Sequence, residues 1–186
     1  MRKIPGNKMR RARPQSPGRA RAAKCLWRIR ANSSKEGDVL GQFKVCVYAI
    51  CKDEEPFVDT WMNSAEEADL VVVVDTGSSD GTAEALRRRG ARVYEKIISP
   101  WRFDDARNEA LDRVPEDVDI CVSVDLDEVF EPGWRARLEE AWAQGCDQAK
   151  YVYVWSHSAD GTPKVRYTRE KIHTRQNFRW VRPVHE

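Results

Sequence analysis

The stretch Leu70-Val71-Val72-Val73-Val74-Asp75-Thr76-Gly77-Ser78-Ser79-Asp80-Gly81-Thr82 decides the fold. Four valines after Leu70 leave no polar face, so a strand here must be covered on both sides. The run stops at Asp75. Gly77 to Gly81 is turn chemistry, leading into a helix that ends at Gly90. A wholly apolar strand, a tight turn and a helix make half of a βαβ unit, from which parallel sheets with helices on both faces are built.

Similar units lie on either side. Phe43 to Ile50 predicts a buried strand. Asp53 reads as the N-cap of a helix with Pro56 in its first turn and Phe57, Val58, Trp61, Met62 and Ala65 at helical spacing. Ala91 to Ile97 predicts a third strand. Asp104 or Asp105 reads as the cap of a helix carrying Ala106, Ala110 and Leu111. Asp119 to Val124 predicts a fourth strand, and Trp134, Leu138, Ala141 and Trp142 mark a helix face closed by Gly145. The pattern then changes. Ala149 to Trp155 and Val165 to Ile172 are strand-like and flank Asp160-Gly161, a hairpin signal. A short strand over Phe178 to Val184 is expected to follow. The predicted fold class is α/β: a mostly parallel central sheet, helices on both faces, and a C-terminal antiparallel hairpin or meander.

The 186 residues suffice for one domain with a real core. Their formal net charge of +2 hides an asymmetry. Residues 1–35 hold twelve Lys or Arg and no acid, which leaves 20 basic against 30 acidic residues in the remainder. Residues 1–38 mix Arg, Pro, Gly, Ala and Ser without periodicity. They are predicted to be a disordered basic leader able to contact anionic surfaces, with the folded domain over 39–186. An acidic body argues against specific nucleic-acid binding, which needs a cationic surface. No apolar run approaches the roughly 20 residues of a membrane-spanning helix, and the leader lacks the apolar core of a secretory signal. The five cysteines show no CxxC spacing; Cys46, Cys51 and Cys121 fall in or beside apolar stretches. Buried reduced thiols of a cytoplasmic protein are expected.

Ligands of open α/β sheets bind beyond the carboxyl ends of the strands. Two acidic features fall there: Asp75, and Asp125-Leu126-Asp127-Glu128. Asp125 and Asp127 sit two residues apart where the chain leaves the pleat. They can converge on one divalent ion, or on a ribose and an ion, and hard oxygen ligands suit Mg²⁺ or Mn²⁺. An ordinary strand-to-helix turn explains Gly77, Ser79 and Gly81 equally well; it explains Asp75 less well. Arg107, near the apolar face of its helix, calls for a fixed carboxylate or phosphate. His185 is a candidate third ligand, while His157 and His173 read as surface or hairpin residues. Trp61, Trp134 and Trp142 fit helix cores. Trp101, Trp155 and Trp180 fall near the candidate site and either stack on a sugar or pack in the core.

In this order the pieces resemble the nucleotide-sugar-binding half of a family-2-type glycosyltransferase of the GT-A fold. The resemblance is carried by Val45-Cys46-Val47 through Lys52-Asp53-Glu54-Glu55, by Val74 through Thr82, by Ala106-Arg107-Asn108-Glu109-Ala110-Leu111, and by Asp125-Leu126-Asp127. The closing Pro183-Val184-His185-Glu186 is similar to the VHE element of one branch, so the match covers about residues 43–186. It implies a metal-dependent transferase that takes a sugar from a nucleotide-diphosphate sugar, a UDP-sugar favoured, and passes it to an unknown acceptor with inversion. By that resemblance Asp75 would contact the nucleoside, Arg107 would lie near the nucleotide, and Asp125 would face the ribose or the ion. Asp127 would hold the Mn²⁺ or Mg²⁺ that bridges the diphosphate, and His185 would complete its shell. Glu186 is the candidate general base, with Glu128 a second. Departures are Thr76, where many relatives carry a second Asp, and Asp53, where Asn is common. Relatives also continue beyond the His-Glu element into acceptor-binding segments, so the domain is expected to be incomplete at its C-terminus. Two rivals compete: a non-catalytic truncated nucleotide-binding module, and a haloacid-dehalogenase-like phosphatase suggested by Val124 to Val129. The phosphatase would need this motif on an early strand and a later acidic pair, neither of which the sequence offers.

Overall fold

The computed structural model describes residues 42–183 and, by backbone alone, residues 21–22. The predicted leader, and the candidate residues His185 and Glu186, lie outside the described residues. The elements run β1 (Arg21–Ala22), β2 (Val45–Cys51), α1 (Glu55–Ser64), β3 (Leu70–Asp75), α2 (Thr82–Arg88), β4 (Arg92–Glu95), α3 (Phe103–Arg113), β5 (Ile120–Ser123), β6 (Glu128–Val129), α4 (Trp134–Trp142), β7 (Gln148–His157) and β8 (Pro163–Thr174). Six strands form one sheet in the order β4-β3-β2-β5-β8-β7. The first four run parallel, β8 joins β5 antiparallel, and β7 pairs antiparallel with β8. β1 pairs in parallel with β6 beside this sheet.

The valine run lies next to the centre for the reason its composition gives. Its two faces feed two cores. Val71 and Val73 pack with Val45, Val47, Trp61, Leu86, Trp134 and Leu138, which places α1, α2 and α4 on one side. Val72 and Val74 pack with Cys46, Tyr48, Ala110 and Leu111, which places α3 on the other. This α/β architecture, with a parallel core and an antiparallel C-terminal edge, is of the GT-A type that the motifs implied.

Several local expectations need correction. Asp53 does not cap α1; Glu54 occupies that position. Asp53 takes a left-handed φ of 54°. Its Oδ1 accepts from the Ser79 amide at 2.6 Å and from the Ser79 hydroxyl at 3.1 Å. It therefore clamps the 77–81 turn, in a conformation that short polar side chains tolerate best. Arg102, not Asp104 or Asp105, is the N-cap of α3; both acids fall in the first turn, where the helix dipole favours them. Residues 178–183 form no strand. They lie as a strap against α3, fastened where the Asn108 side chain both donates to the Trp180 carbonyl (2.9 Å) and accepts from the Trp180 amide (3.0 Å).

Candidate functional site

The parallel strands β2, β3 and β5 end on one side of the sheet, and a cavity of about 220 Å³ opens there. Ile50, Cys51, Lys52 and Glu54 line it from β2 and its exit, Thr76 from just beyond β3 and Asp125 from the turn that follows β5. Arg107 from α3 and the aromatic pair Trp101 and Phe103 complete the wall. Trp101 and Phe103 meet edge to face with centroids 5.3 Å apart, and Trp101 is 47% exposed at the mouth.

Asp125 is the electrostatic centre. Arg107 donates from Nη2 to Asp125 Oδ1 at 3.0 Å and from Nη1 to the Ser123 hydroxyl at 3.1 Å. Lys171, two residues before His173 on β8, donates from Nζ to Asp125 Oδ2 at 2.9 Å. Both cations are buried while the Asp125 side chain is 32% exposed. Lys171 and Arg107 together hold the Asp125 carboxyl well below the usual carboxylate range, against the opposing effect of burial. The fixed partner expected for Arg107 is thus a carboxylate of the acidic motif itself. The Arg107 guanidinium also lies 5.2 Å from the centroid of Trp180.

The acidic loop is less neutralised towards Glu54. Burial, then the negative charges of Asp127 and Asp125, raise the Glu54 carboxyl to about 7. Asp127 and Asp125 thus set a negative field at Glu54 beside the strand end. Their hard oxygens fit a divalent cation, with Asp127 and Asp125 as the protein donors. Among the described residues no three His, Cys, Asp or Glu side chains form a complete ion cage, so a further ligand from elsewhere would be needed. Glu128 is turned to a different use. It is buried, accepts from the Tyr151 hydroxyl at 3.1 Å, and burial raises its pKa.

Asp75 is buried and spends Oδ1 on the Gly77 and Ser78 amides at 2.8 and 2.7 Å. It shapes the turn directly, and with Gly77, Ser78 and Lys96 it lines a neighbouring cavity of about 340 Å³ rather than the 220 Å³ one. Residue 77 must be glycine here: φ is +109°, and an added Cβ would come within 2.6 Å of Ile97 Cδ1. His173 is not a surface residue. It is 1% exposed, stacks on Phe178 at 3.5 Å, and bonds Tyr48 through Nε2 at 2.8 Å. Trp180 is core, donating from its indole to the Tyr48 hydroxyl at 2.8 Å. Trp155, by contrast, is 45% exposed.

Residues 46–185 match the model of glycosyl transferase family 2. The chain belongs to that family. Among curated proteins it is 25% identical over 152 residues to the lipopolysaccharide core biosynthesis glycosyltransferase LpsC of Rhizobium meliloti; the alignment covers 77% of this chain and 53% of LpsC. The chain therefore spans about half the length of that relative. Among solved structures it is similar to the mannosyltransferase PcManGT of Pyrobaculum calidifontis, in complex with GDP-Man and Mn²⁺ (26% identity, 61% of this chain, 36% of that one, TM-score 0.49). It is also similar to glucosyl-3-phosphoglycerate synthase of Mycobacterium tuberculosis (22% identity, 47% and 34% covered, TM-score 0.40). Lys171 carries no signal in the sequence, and Glu54 appears there only within the Lys52-Asp53-Glu54-Glu55 stretch. Lys171 lies 46 residues from its partner Asp125, and Glu54 reads as one of several acids at a helix start. No helix among the described residues is long and apolar enough to cross a membrane.

Proposed function

We propose that the chain is the donor-binding part of a metal-dependent, cytoplasmic glycosyltransferase that moves a sugar from a UDP-sugar to an acceptor hydroxyl with inversion. The observation that carries this reading is Asp125, held by Arg107 and Lys171 at the carboxyl end of β5 beside a strand-end cavity. Trp101 and Phe103 offer the base a stacking wall. Asp75 contacts the nucleoside, chiefly through the turn that it holds. Arg107 lies near the nucleotide, and Asp125 meets the ribose or the ion.

Asp127 and Asp125 hold Mn²⁺ or Mg²⁺, with His185 supplied from the C-terminal motif. When bound, the ion offsets the charge on the departing nucleoside diphosphate. Arg107 and Lys171 fix the Asp125 carboxylate in one orientation, so that its remaining lone pairs are preorganised. An inverting displacement needs a base for the acceptor hydroxyl. Glu186 takes that role, since Glu128 is enclosed. The free thiols Cys46, Cys51, Cys121 and Cys146 suit a reducing compartment, and the basic leader contacts anionic surfaces. The name of the Rhizobium relative makes a glycan the first acceptor class to try.

Titrating UDP and GDP against the chain, with and without Mn²⁺, tests this reading through tryptophan fluorescence. UDP should gain affinity on adding Mn²⁺, and Asp127→Ala should lose that gain. A D127A variant that responds to Mn²⁺ like the parent would remove Asp127 from the metal site.

A further inference from the structure

Beyond the acidic loop, the β7–β8 hairpin presents an aromatic and cationic face. The Tyr151 hydroxyl bonds buried Glu128, which anchors β7 beside the Asp125–Glu128 turn. Two residues on, Tyr153 is buried and lies opposite Tyr167 in register, with ring centroids 5.3 Å apart. Trp155 meets Tyr153 edge-on at 6.2 Å. Tyr167 and Trp155 are 37% and 45% exposed, so part of this cluster faces solvent.

Arg169 lies against it. Its guanidinium carbon is 4.8 Å from the Tyr167 centroid and 5.7 Å from that of Tyr153, and Nη2 donates to the Tyr167 hydroxyl at 3.3 Å. Its Nε is buried without a hydrogen-bond partner. Lys164 and Arg166 are exposed too, but at even positions of β8 they stand on the opposite face of the hairpin from Tyr167 and Arg169. Among the described residues no carboxylate pairs with Arg169, whereas Glu170 is taken by Lys150. On a body with more acids than bases, a guanidinium held on partly exposed rings without a carboxylate needs an explanation.

We infer that this face is the acceptor platform and that it takes a sugar bearing a carboxylate or a phosphate, an assignment that rests on the transferase reading above. Exposed aromatic rings suit the apolar face of a pyranose. A guanidinium already laid on two rings loses little freedom when it bonds an anion through two parallel donors. Tyr151 bonds Glu128, the residue after Asp127, and pairs across the hairpin with Arg169, so the Arg169 end of the platform is turned towards the donor's reacting end. A neutral acceptor would account for Tyr167 but not for the guanidinium of Arg169 laid beside it.

Calorimetric titration of the full chain, with UDP and Mn²⁺ present, tests the assignment with three probes. Methyl glucuronide carries a carboxylate, glucose 6-phosphate a phosphate, and methyl glucoside no charge. At least one acidic probe should bind about tenfold or more tighter than the neutral one, as a charge-assisted bidentate contact implies; which one does so tells the two anions apart. Arg169→Gln should erase that preference, Arg169→Lys should keep part of it, and Tyr167→Ala should weaken all three probes. Equal affinities, no binding of any probe, or a preference that survives R169Q would each overturn the assignment while UDP binding stands. Loss of UDP binding in the parent would overturn the transferase reading, and the acceptor assignment with it.

Discussion

Acid should weaken this fold through His173. The imidazole is 1% exposed, and its two nitrogens are committed: Nδ1 bonds the Thr174 carbonyl at 2.7 Å and Nε2 bonds the Tyr48 hydroxyl at 2.8 Å. The carbonyl can only accept, so Nδ1 carries the proton and Nε2 accepts from Tyr48. Tyr48 in turn receives the Trp180 indole N–H. Adding a proton at Nε2 would strand the Tyr48 hydroxyl hydrogen and charge a dry site. Burial, aided by Arg175, accordingly pushes the imidazole down to about 4. Its unfolded value is about 6.5, so between those limits the unfolded chain binds a proton that the native chain does not. The stability is complete above about pH 6.5 and falls as the pH is lowered. By linkage the loss is roughly 2.5 kcal/mol on reaching about pH 4.5. Urea unfolding at about pH 7.5 and about pH 4.5 measures it, with His173→Phe as reference. The variant keeps a ring against Phe178 and cannot titrate; it should be weaker than wild type by about 1–3 kcal/mol at the higher pH, because Tyr48 loses its acceptor. Carboxylate losses are common to both chains and cancel. The gap between wild type and H173F should therefore shrink by roughly 2.5 kcal/mol on acidification. A gap that stays constant with pH would refute the neutral buried histidine.

Lys171→Met should lower stability by about 2 kcal/mol, because it removes one of two buried cations from Asp125 while Arg107 remains. That corresponds to a drop of roughly 4–8 °C in Tm by calorimetry, with weaker UDP binding; no change in either would take Lys171 out of the site. Asn108→Ala removes both bonds to the Trp180 backbone and should cost about 2 kcal/mol by urea unfolding. It should also weaken nucleotide binding, since Arg107 rests on Trp180. Glu139→Ala should be the harshest of the three, about 3 kcal/mol or more. It leaves Arg135 buried after losing a 2.8 Å partner that is itself 0% exposed; an unchanged urea midpoint would show that Asp69 suffices for Arg135.

The parallel strands were legible because a strand covered on both faces carries no alternation, so Val71 to Val74 could be nothing else. The Asp160-Gly161 hairpin was legible from turn chemistry alone, since Gly161 takes a positive φ of 82°. Arg107 was legible as a residue needing a partner, because a cation near an apolar helix face must be paired. What stayed hidden depends on register across the sheet. His173 reads as polar in sequence, yet it pairs with Cys121 on β5 and so falls between strands and under Trp180. Lys171 reaches Asp125 only because β8 enters antiparallel to β5, and the β7–β8 register shift between Ala149 and Tyr151 is not written in any residue type. Asp53 resembles a cap because Asp serves both caps and left-handed turns, and local spacing does not separate the two.

The same dependence on register changes the meaning of the acidic motif. Two aspartates at a strand end suggest two equivalent ligands for a cation. Here the fold treats them differently: Asp125 is already compensated by Arg107 and Lys171, and burial together with Asp127 and Asp125 leaves Glu54 close to neutral pH. A divalent ion that reaches Asp125 therefore shares its carboxylate with two cations already in place. Replacing Asp127 should abolish the ion's effect on nucleotide affinity. Replacing Asp125 should instead strand Arg107 and Lys171 and lower stability before it touches metal response. Two chemically identical residues, two positions apart, should thus fail in different assays, because Asp125 is the one on which two buried cations depend.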